Sequence, residues 1–234
     1  MSSMTEVRER PILFSGPMVQ ALLAGRKTQT RRVVKPQPRV ARYGPSHPTH
    51  PNGVIGRLPG TWGGGDYHVW KARPDHDVPL IAGSEWAIER YSPYGVPGDR
   101  LWVREAWAYY GGNEMLYQRE HGAVQYRATH ESDHRVSVPH RVTAPEQPEG
   151  DRRWRPSIHM PRWASRITLE VVDVRVERVQ DISEADAIAE GCAGPGYGTL
   201  AVLEYCRLWD EINGKGAWAD NPWVWVVEFR RINQ

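Results

Sequence analysis

Apolar residues along this chain recur mostly at alternate positions, in short runs, with two interruptions where the spacing becomes helical. Residues 1–10 are polar and expected to fray, and Pro11-Ile-Leu-Phe14 then reads as a short strand. Ser15 can cap a helix that holds Pro17 in its first turn, where a missing N–H is tolerated. Met18, Val19, Leu22 and Leu23 give that helix an apolar stripe, and Gly25 ends it. Lys27 to Val34 is expected to continue as a strand until Pro36 and Pro38. Residues 36–97 change character: they are rich in Pro, Gly and His and sustain no helical period. They are expected to form a long loop-rich insertion with short strands near His68-Val-Trp70, and a lid, a partner surface and plain decoration all remain open.

Alternation resumes after the turn Pro97-Gly-Asp99. Arg100 to Trp107 reads as a half-buried strand, with Leu101, Val103 and Glu105 on one face and Trp102, Arg104 and Ala106 on the other. Ala123 to Ala128 reads as a further strand, and 130–156 as a charged, Pro-rich loop. Arg166 to Val179 places Ile167, Leu169 and Val171 on one parity but Val172, Val174 and Val176 on the other. That strand must bulge or be buried on both faces. Ser183 with Asp186 three residues on forms a capping box, Ile182 precedes it as a staple, and Gly191 closes the helix with Glu190 in its last turn. A Gly-rich turn at 194–198 leads to a second helix with Val202, Tyr205, Cys206, Trp209 and Ile212 on its packing face. Pro222 to Ile232 closes the chain as an apolar strand. This order, with strands dominant and helices few, predicts an α+β fold: a small mixed β-barrel with flanking helices, formed by one domain over 1–234.

Composition narrows the setting. The chain has 234 residues and a net charge of +2, too small a charge to indicate nucleic-acid binding by itself. Arg far outnumbers Lys, and 11 Trp stand against two Phe, a bias that suits phosphate pairing and base stacking and equally suits a GC-rich genome with Trp as core filler. Two cysteines, Cys192 and Cys206, form no Cys-x-x-Cys pair, which points to a reducing compartment. With no apolar run of signal-peptide type and no stretch of membrane-spanning length, a cytoplasmic location without membrane attachment is expected. The nine histidines show no tight ligand spacing, so no metal is expected, and Gly63-Gly-Gly65 lacks the lysine and hydroxyl of a phosphate loop. No cofactor is expected.

The densest chemistry lies in Gly25-Arg26-Lys27-Thr28-Gln29-Thr30-Arg31-Arg32, between a helix end and a strand. Alone, such a run is more often a solvated strand edge or a phosphate-contacting patch than a ligand pocket. Its Gly-x-Lys-x-x-Thr-x-Arg spacing, however, resembles the signature of the ASCH domains of the PUA-like superfamily. Gly98-Asp99-Arg-Leu-Trp-Val is similar to the Gly-Asp-x-Leu strand of that fold, and Trp225-Val-Val-Glu-Phe229 to its last strand. Residues 36–97 exceed the compact family core, and chains of this style resemble those carried by phages and prophages. Within the group the chain looks most similar to small bacterial amidohydrolases acting on N4-acetylcytidine. The resemblance implies a catalytic lysine and threonine at Lys27 and Thr30. Aligning the family's Leu-Thr-Glu with Ile182-Ser183-Glu184 puts its catalytic glutamate on Glu190.

An amide carbon needs a nucleophile, a base and an acid for the leaving amine. Lys27 can act as base for the Thr30 hydroxyl if burial or neighbouring Arg26, Arg31 and Arg32 lower its pKa. Glu190, at a helix C-terminus, should pair with a cation such as Lys27 or hold its proton tightly. Lys27 and Thr30 have opposite parity on a regular strand, so a turn or bulge must bring them to one pocket. Arg26, Thr28, Arg31 and Arg32, with Trp102, Arg104 and Glu105, are candidate substrate contacts; Arg104 and Glu105 read equally as an ion pair beside core tryptophans. His159 reads as structural. The expected function is hydrolysis of N4-acylated cytosine nucleosides. The alternatives are a non-catalytic module that reads a modified base or single-stranded RNA or DNA, and a metal-independent ribonuclease.

Overall fold

The structure, a computed structural model, describes residues 7–37, 39–42, 66–73, 76–79, 92–110, 123–130, 153–192 and 200–232. Strand β1 (Glu9–Leu13) starts earlier than its apolar run, because Glu9 and Arg10 pair with Arg100 and Leu101. Helix α1 (Gly16–Leu23) carries Pro17 in its first turn, buries Val19 and Leu22, and is followed by Gly25 at a φ of 70°. Ser15 precedes it without a side-chain capping bond. Strand β2 (Gln29–Val33) is shorter than expected, since Lys27 and Thr28 belong to the connection before it. Within 36–97, β3 (Arg39–Arg42), β4 (Asp66–Arg73) and β5 (His76–Pro79) form an antiparallel sheet of three strands, more regular than a loop with strands only near 68–70.

Strand β6 (Arg100–Arg104) ends before Glu105, and β7 (Trp107–Tyr110) joins another sheet with β8 (Ala123–Tyr126). One strand over 100–107 is therefore two, and Arg127 and Ala128 lie in the single-turn helix α2 (Arg127–His130) rather than in a strand. Strand β9 (Thr168–Arg178) resolves its conflicting parities by a bulge. Its register with the last strand shifts so that Val172 has no partner and stands half exposed, while Leu169, Val171 and Val174 are all buried. The capping box of Ser183 and Asp186 opens α3 (Glu184–Ala189) as its sequence dictates. Helix α4 (Leu200–Asn213) buries Ala201, Tyr205 and Trp209, whereas Ile212, expected on the packing face, is 52% exposed. Strand β10 (Trp223–Ile232) completes the chain. The turn expected at 194–198 lies outside the described residues.

The main sheet runs β1-β6-β9-β10-β2, with β1 and β6 parallel and the other neighbours antiparallel. Among the described residues the expected barrel is not closed. Strands β1 and β2 remain edges of a mixed five-stranded sheet, linked at one corner by a side chain, where Arg32 donates to the Leu13 carbonyl. One face holds the core of Ile12, Leu101, Leu169, Val171, Val227 and Phe229, with α1 packed on it through Val19 and Leu22. Each such side chain contributes about 1.5–3 kcal/mol on burial. The second cluster joins α3 and α4 to Val224 and Val226 of β10 through Ala187, Tyr205 and Trp209. Because successive strand residues face opposite ways, β10 carries one cluster on each face. No helix among the described residues is long and apolar enough to cross a membrane.

Candidate active site

Helix α3 ends against the connection between α1 and β2. The Thr28 N–H donates to the Ala189 carbonyl at 2.8 Å, and Lys27 Nζ donates to the Glu190 carbonyl at 2.8 Å, so the last turn's orphan acceptors are met by this connection. Gly191 turns the chain away at a φ of 94°, and a Cβ there would lie 3.2 Å from Ala21 Cβ and 3.5 Å from Lys27 Cβ. This close approach seats Lys27 under the helix. Lys27 Nζ also donates to Glu190 Oε2 at 2.6 Å, with the two side chains 0% and 3% exposed. The parity conflict disappears because Lys27 precedes the strand while Thr30 lies in it.

Burial lowers the Lys27 amine from its usual range, and the Arg32 guanidinium adds to this; the Glu190 carboxylate opposes it. The carboxylate is only half engaged. Glu190 Oε1 has no hydrogen-bond partner, with Arg31 Nη1 standing off at 3.7 Å, and Arg31 Nε is likewise buried without a partner. Arg31 otherwise spends its donors on Gln29, on Glu177 at 3.3 Å and on Asp186 at 3.3 Å. Gln29 reaches Asp186 and Glu228, tying β2 to α3 and β10.

A cavity of about 310 Å³ lies beside this pair. Its size falls at the lower end of small-ligand pockets, roughly 300–1,000 Å³. It wraps the free edge of β2, so consecutive residues Thr30, Arg31 and Arg32 all wall it, together with Glu190, Tyr94 and Tyr205. Lys27 is not a wall residue; it stands behind Glu190. Arg32 lies over the Phe14 ring at 5.2 Å while reaching Leu13. Cys192, close enough to feel Glu190, has its thiol pushed up to about 12 by burial and by Glu204 and Glu190, which favours the neutral thiol.

The structure thus brings Lys27 against Glu190 and puts Thr30, Arg31 and Arg32 around the same space. It does not bring the other candidates there. Arg26 and Thr28 are exposed beside the helix end and do not wall the cavity. Trp102, Arg104 and Glu105 sit at the end of β6: Arg104 stacks over Trp102 at 4.6 Å and bonds the Ile158 carbonyl. Glu105 pairs with Arg166 instead of Arg104, through two bonds of 2.9 Å. His159 occupies a 3-10 turn, and its backbone N–H bonds the Pro156 carbonyl. Among the described residues no three His, Cys, Asp or Glu side chains gather as a metal would need.

Sequence reasoning missed Tyr94 and Tyr205. Tyr94 lies near the end of the stretch read as an insertion, 36–97, and Tyr205 was hidden in the apolar stripe of α4. The available signal was that a tyrosine in such a stripe carries a hydroxyl that an apolar core cannot satisfy. Comparison of the chain with protein-family models, with curated proteins and with solved structures returns no match.

Proposed function

We propose that this chain is an amidohydrolase that removes the N4-acyl group of acylated cytosine nucleosides, as its resemblance to ASCH proteins of the PUA-like superfamily suggests. The observation that carries the reading is the buried Lys27–Glu190 pair, left half satisfied beside a nucleoside-sized cavity that Thr30 also walls. A buried charge pair kept next to open space can exchange protons with a ligand. In this scheme Thr30 Oγ attacks the acyl carbon, and its proton passes to the Lys27–Glu190 pair, for which a lowered lysine pKa is the requirement. Collapse of the tetrahedral intermediate breaks the C–N4 bond, N4 regains a proton from the pair, and cytidine leaves. Water then cleaves the acyl-threonine ester with the same pair as base, releasing the carboxylic acid. Arg32 orients the nucleoside at the mouth.

The test is ultraviolet-monitored hydrolysis of N4-acetylcytidine by wild type, Lys27→Ala and Thr30→Ala. Turnover by wild type, with a loss of about 10²–10⁴-fold in each variant at intact fold, is expected. Absence of wild-type turnover across several acyl groups would contradict the reading.

One observation favours a second reading, a non-catalytic module binding single-stranded nucleic acid. Two donors of Lys27 Nζ are already committed to Glu190, as a purely structural cap would have them, and Arg32 and the exposed Lys35 line the cavity mouth. Salt-sensitive binding of single-stranded RNA without hydrolysis of the acylcytidine would decide for it.

A further inference from the structure

Tyr205 is 3% exposed and walls the cavity, yet its hydroxyl makes no hydrogen bond among the described residues. Buried polar atoms with neither partner nor solvent contact include Trp209 Nε1, Arg31 Nε and Glu190 Oε1, but not the hydroxyls of Thr30 or Tyr205. Both residues are 3% exposed or less, so the cavity is where each hydroxyl keeps its contact with water. The Tyr205 ring is held from two sides. Trp209 lies at a centroid distance of 6.0 Å and Trp218 meets it edge-on at 6.2 Å. A phenol fixed by its ring, with its O–H uncommitted, is a preorganised donor.

We propose that Tyr205 is a catalytic residue that donates its O–H to the oxygen of the acyl carbonyl as negative charge develops there. This rests on the amidohydrolase reading and adds to it the group that the lysine, threonine and glutamate leave out. When Thr30 Oγ bonds to the acyl carbon, the carbonyl π pair moves onto oxygen. Tyr205 hydrogen-bonds that oxyanion without giving up its proton, and the pair returns to re-form the C=O as the C–N4 bond breaks. The alternative donors are less suited: Arg31 engages Gln29, Glu177 and Asp186 through Nη1 and Nη2 and its unpartnered Nε has no solvent contact, while Arg32 reaches Leu13 through Nη2. Burial, and after it the Glu190 carboxylate, raises the Tyr205 phenol far above its usual value against the opposing Arg31 and Arg32, so it remains protonated at working pH. Sequence context supports a chosen hydroxyl: α4 places this tyrosine one turn before Trp209 on the face that meets β10, where phenylalanine would pack as well.

The experiment is steady-state hydrolysis of N4-acetylcytidine by wild type and Tyr205→Phe, with thermal melting of both. Removing one oxyanion donor lowers kcat by about 10²–10³-fold, and KM should stay within about threefold. The hydroxyl has no protein partner, so the melting temperature should not fall. Wild-type turnover with an unchanged kcat in Tyr205→Phe would overturn this proposal and leave the amidohydrolase reading standing. A rise in KM alone would make Tyr205 a binding contact and also overturn it, as would a clear drop in melting temperature, which would make the hydroxyl structural. Wild type without turnover would remove the amidohydrolase reading itself, and this proposal with it.

Discussion

Two buried acid–base pairs stand at opposite ends of the main sheet's chemistry, and they are finished differently. Glu105 and Arg166 meet through two parallel bonds of 2.9 Å, Arg166 also donates to Thr129, and its guanidinium lies over the Tyr126 ring at 3.9 Å. Both carboxylate oxygens are satisfied, and neither residue walls the cavity. Lys27 and Glu190, the latter in the cavity wall, meet through one carboxylate oxygen and leave the other with neither a partner nor solvent contact. A saturated pair holds its neighbours in place, here β6, β8 and the chain entering β9. An unsaturated pair stores an unused proton acceptor in the wall of the cavity. The contrast separates structural charge from chemical charge where both carboxylates are buried alike, at 2% and 3% exposure.

The largest effect on folding is expected at the saturated pair. Arg166→Met leaves Glu105 buried and unpaired and should cost about 3–5 kcal/mol in a denaturant melt. A loss under about 1 kcal/mol would mean that the pair does not anchor the sheet. Glu105 carries a matching signature: burial raises its carboxyl above the usual range despite Arg166, so its desolvation is only partly offset.

A pH series sharpens the other side. The Lys27 amine binds its proton more weakly in the folded protein than in the unfolded chain. Between that lowered value and the ordinary 10.5, the unfolded state holds more protons, so Lys27's contribution to stability rises with pH through this window and levels off above it. The difference in unfolding free energy between wild type and Lys27→Met should therefore move toward wild type as pH climbs toward 10.5. A difference that is flat over the same range would place Lys27 as an ordinary ion-paired lysine.

A smaller effect tests how the reactive end is held. Gly191→Ala forces a left-handed backbone onto a residue with a Cβ and presses it against Ala21 and Lys27. It should cost about 1–2 kcal/mol in thermal or denaturant melts. Wild-type stability in this variant would show that α3 can shift off Lys27, against the account of a tightly seated pair.

Much of this frame could be read in the sequence. The capping box at Ser183, the Pro17 helix and the strand at β10 follow local rules that the structure obeys. The double parity of β9 called for a bulge or burial on both faces, and the register shift at Val172 takes the first course. Other features depend on distant partners and were not legible. Nothing local stops the alternation at Arg104. The chain turns there because Glu105 is drawn to Arg166, 61 residues away, while Trp107 pairs with Tyr126. The barrel expected from the strand count stays open because closure needs a ladder between β1 and β2, and the described residues offer the Arg32 side chain instead. At the site, the basic run marked the right stretch of chain but not its two faces. Arg26 and Thr28 point outward, and Tyr94 and Tyr205 arrive from remote segments whose local pattern is that of a loop end and a packing helix.

The most direct measurement is the turnover of N4-acetylcytidine by the double variant Lys27→Met, Glu190→Leu. Replacing a buried ion pair by apolar side chains of similar volume is often neutral or stabilising by about 1–4 kcal/mol. The variant is expected to fold, with the Glu190 carbonyl that loses Lys27 Nζ offsetting that gain by about 1–3 kcal/mol, and to have lost the wild-type turnover. Turnover retained in that folded variant would contradict the claim that the unfinished pair is the reactive one.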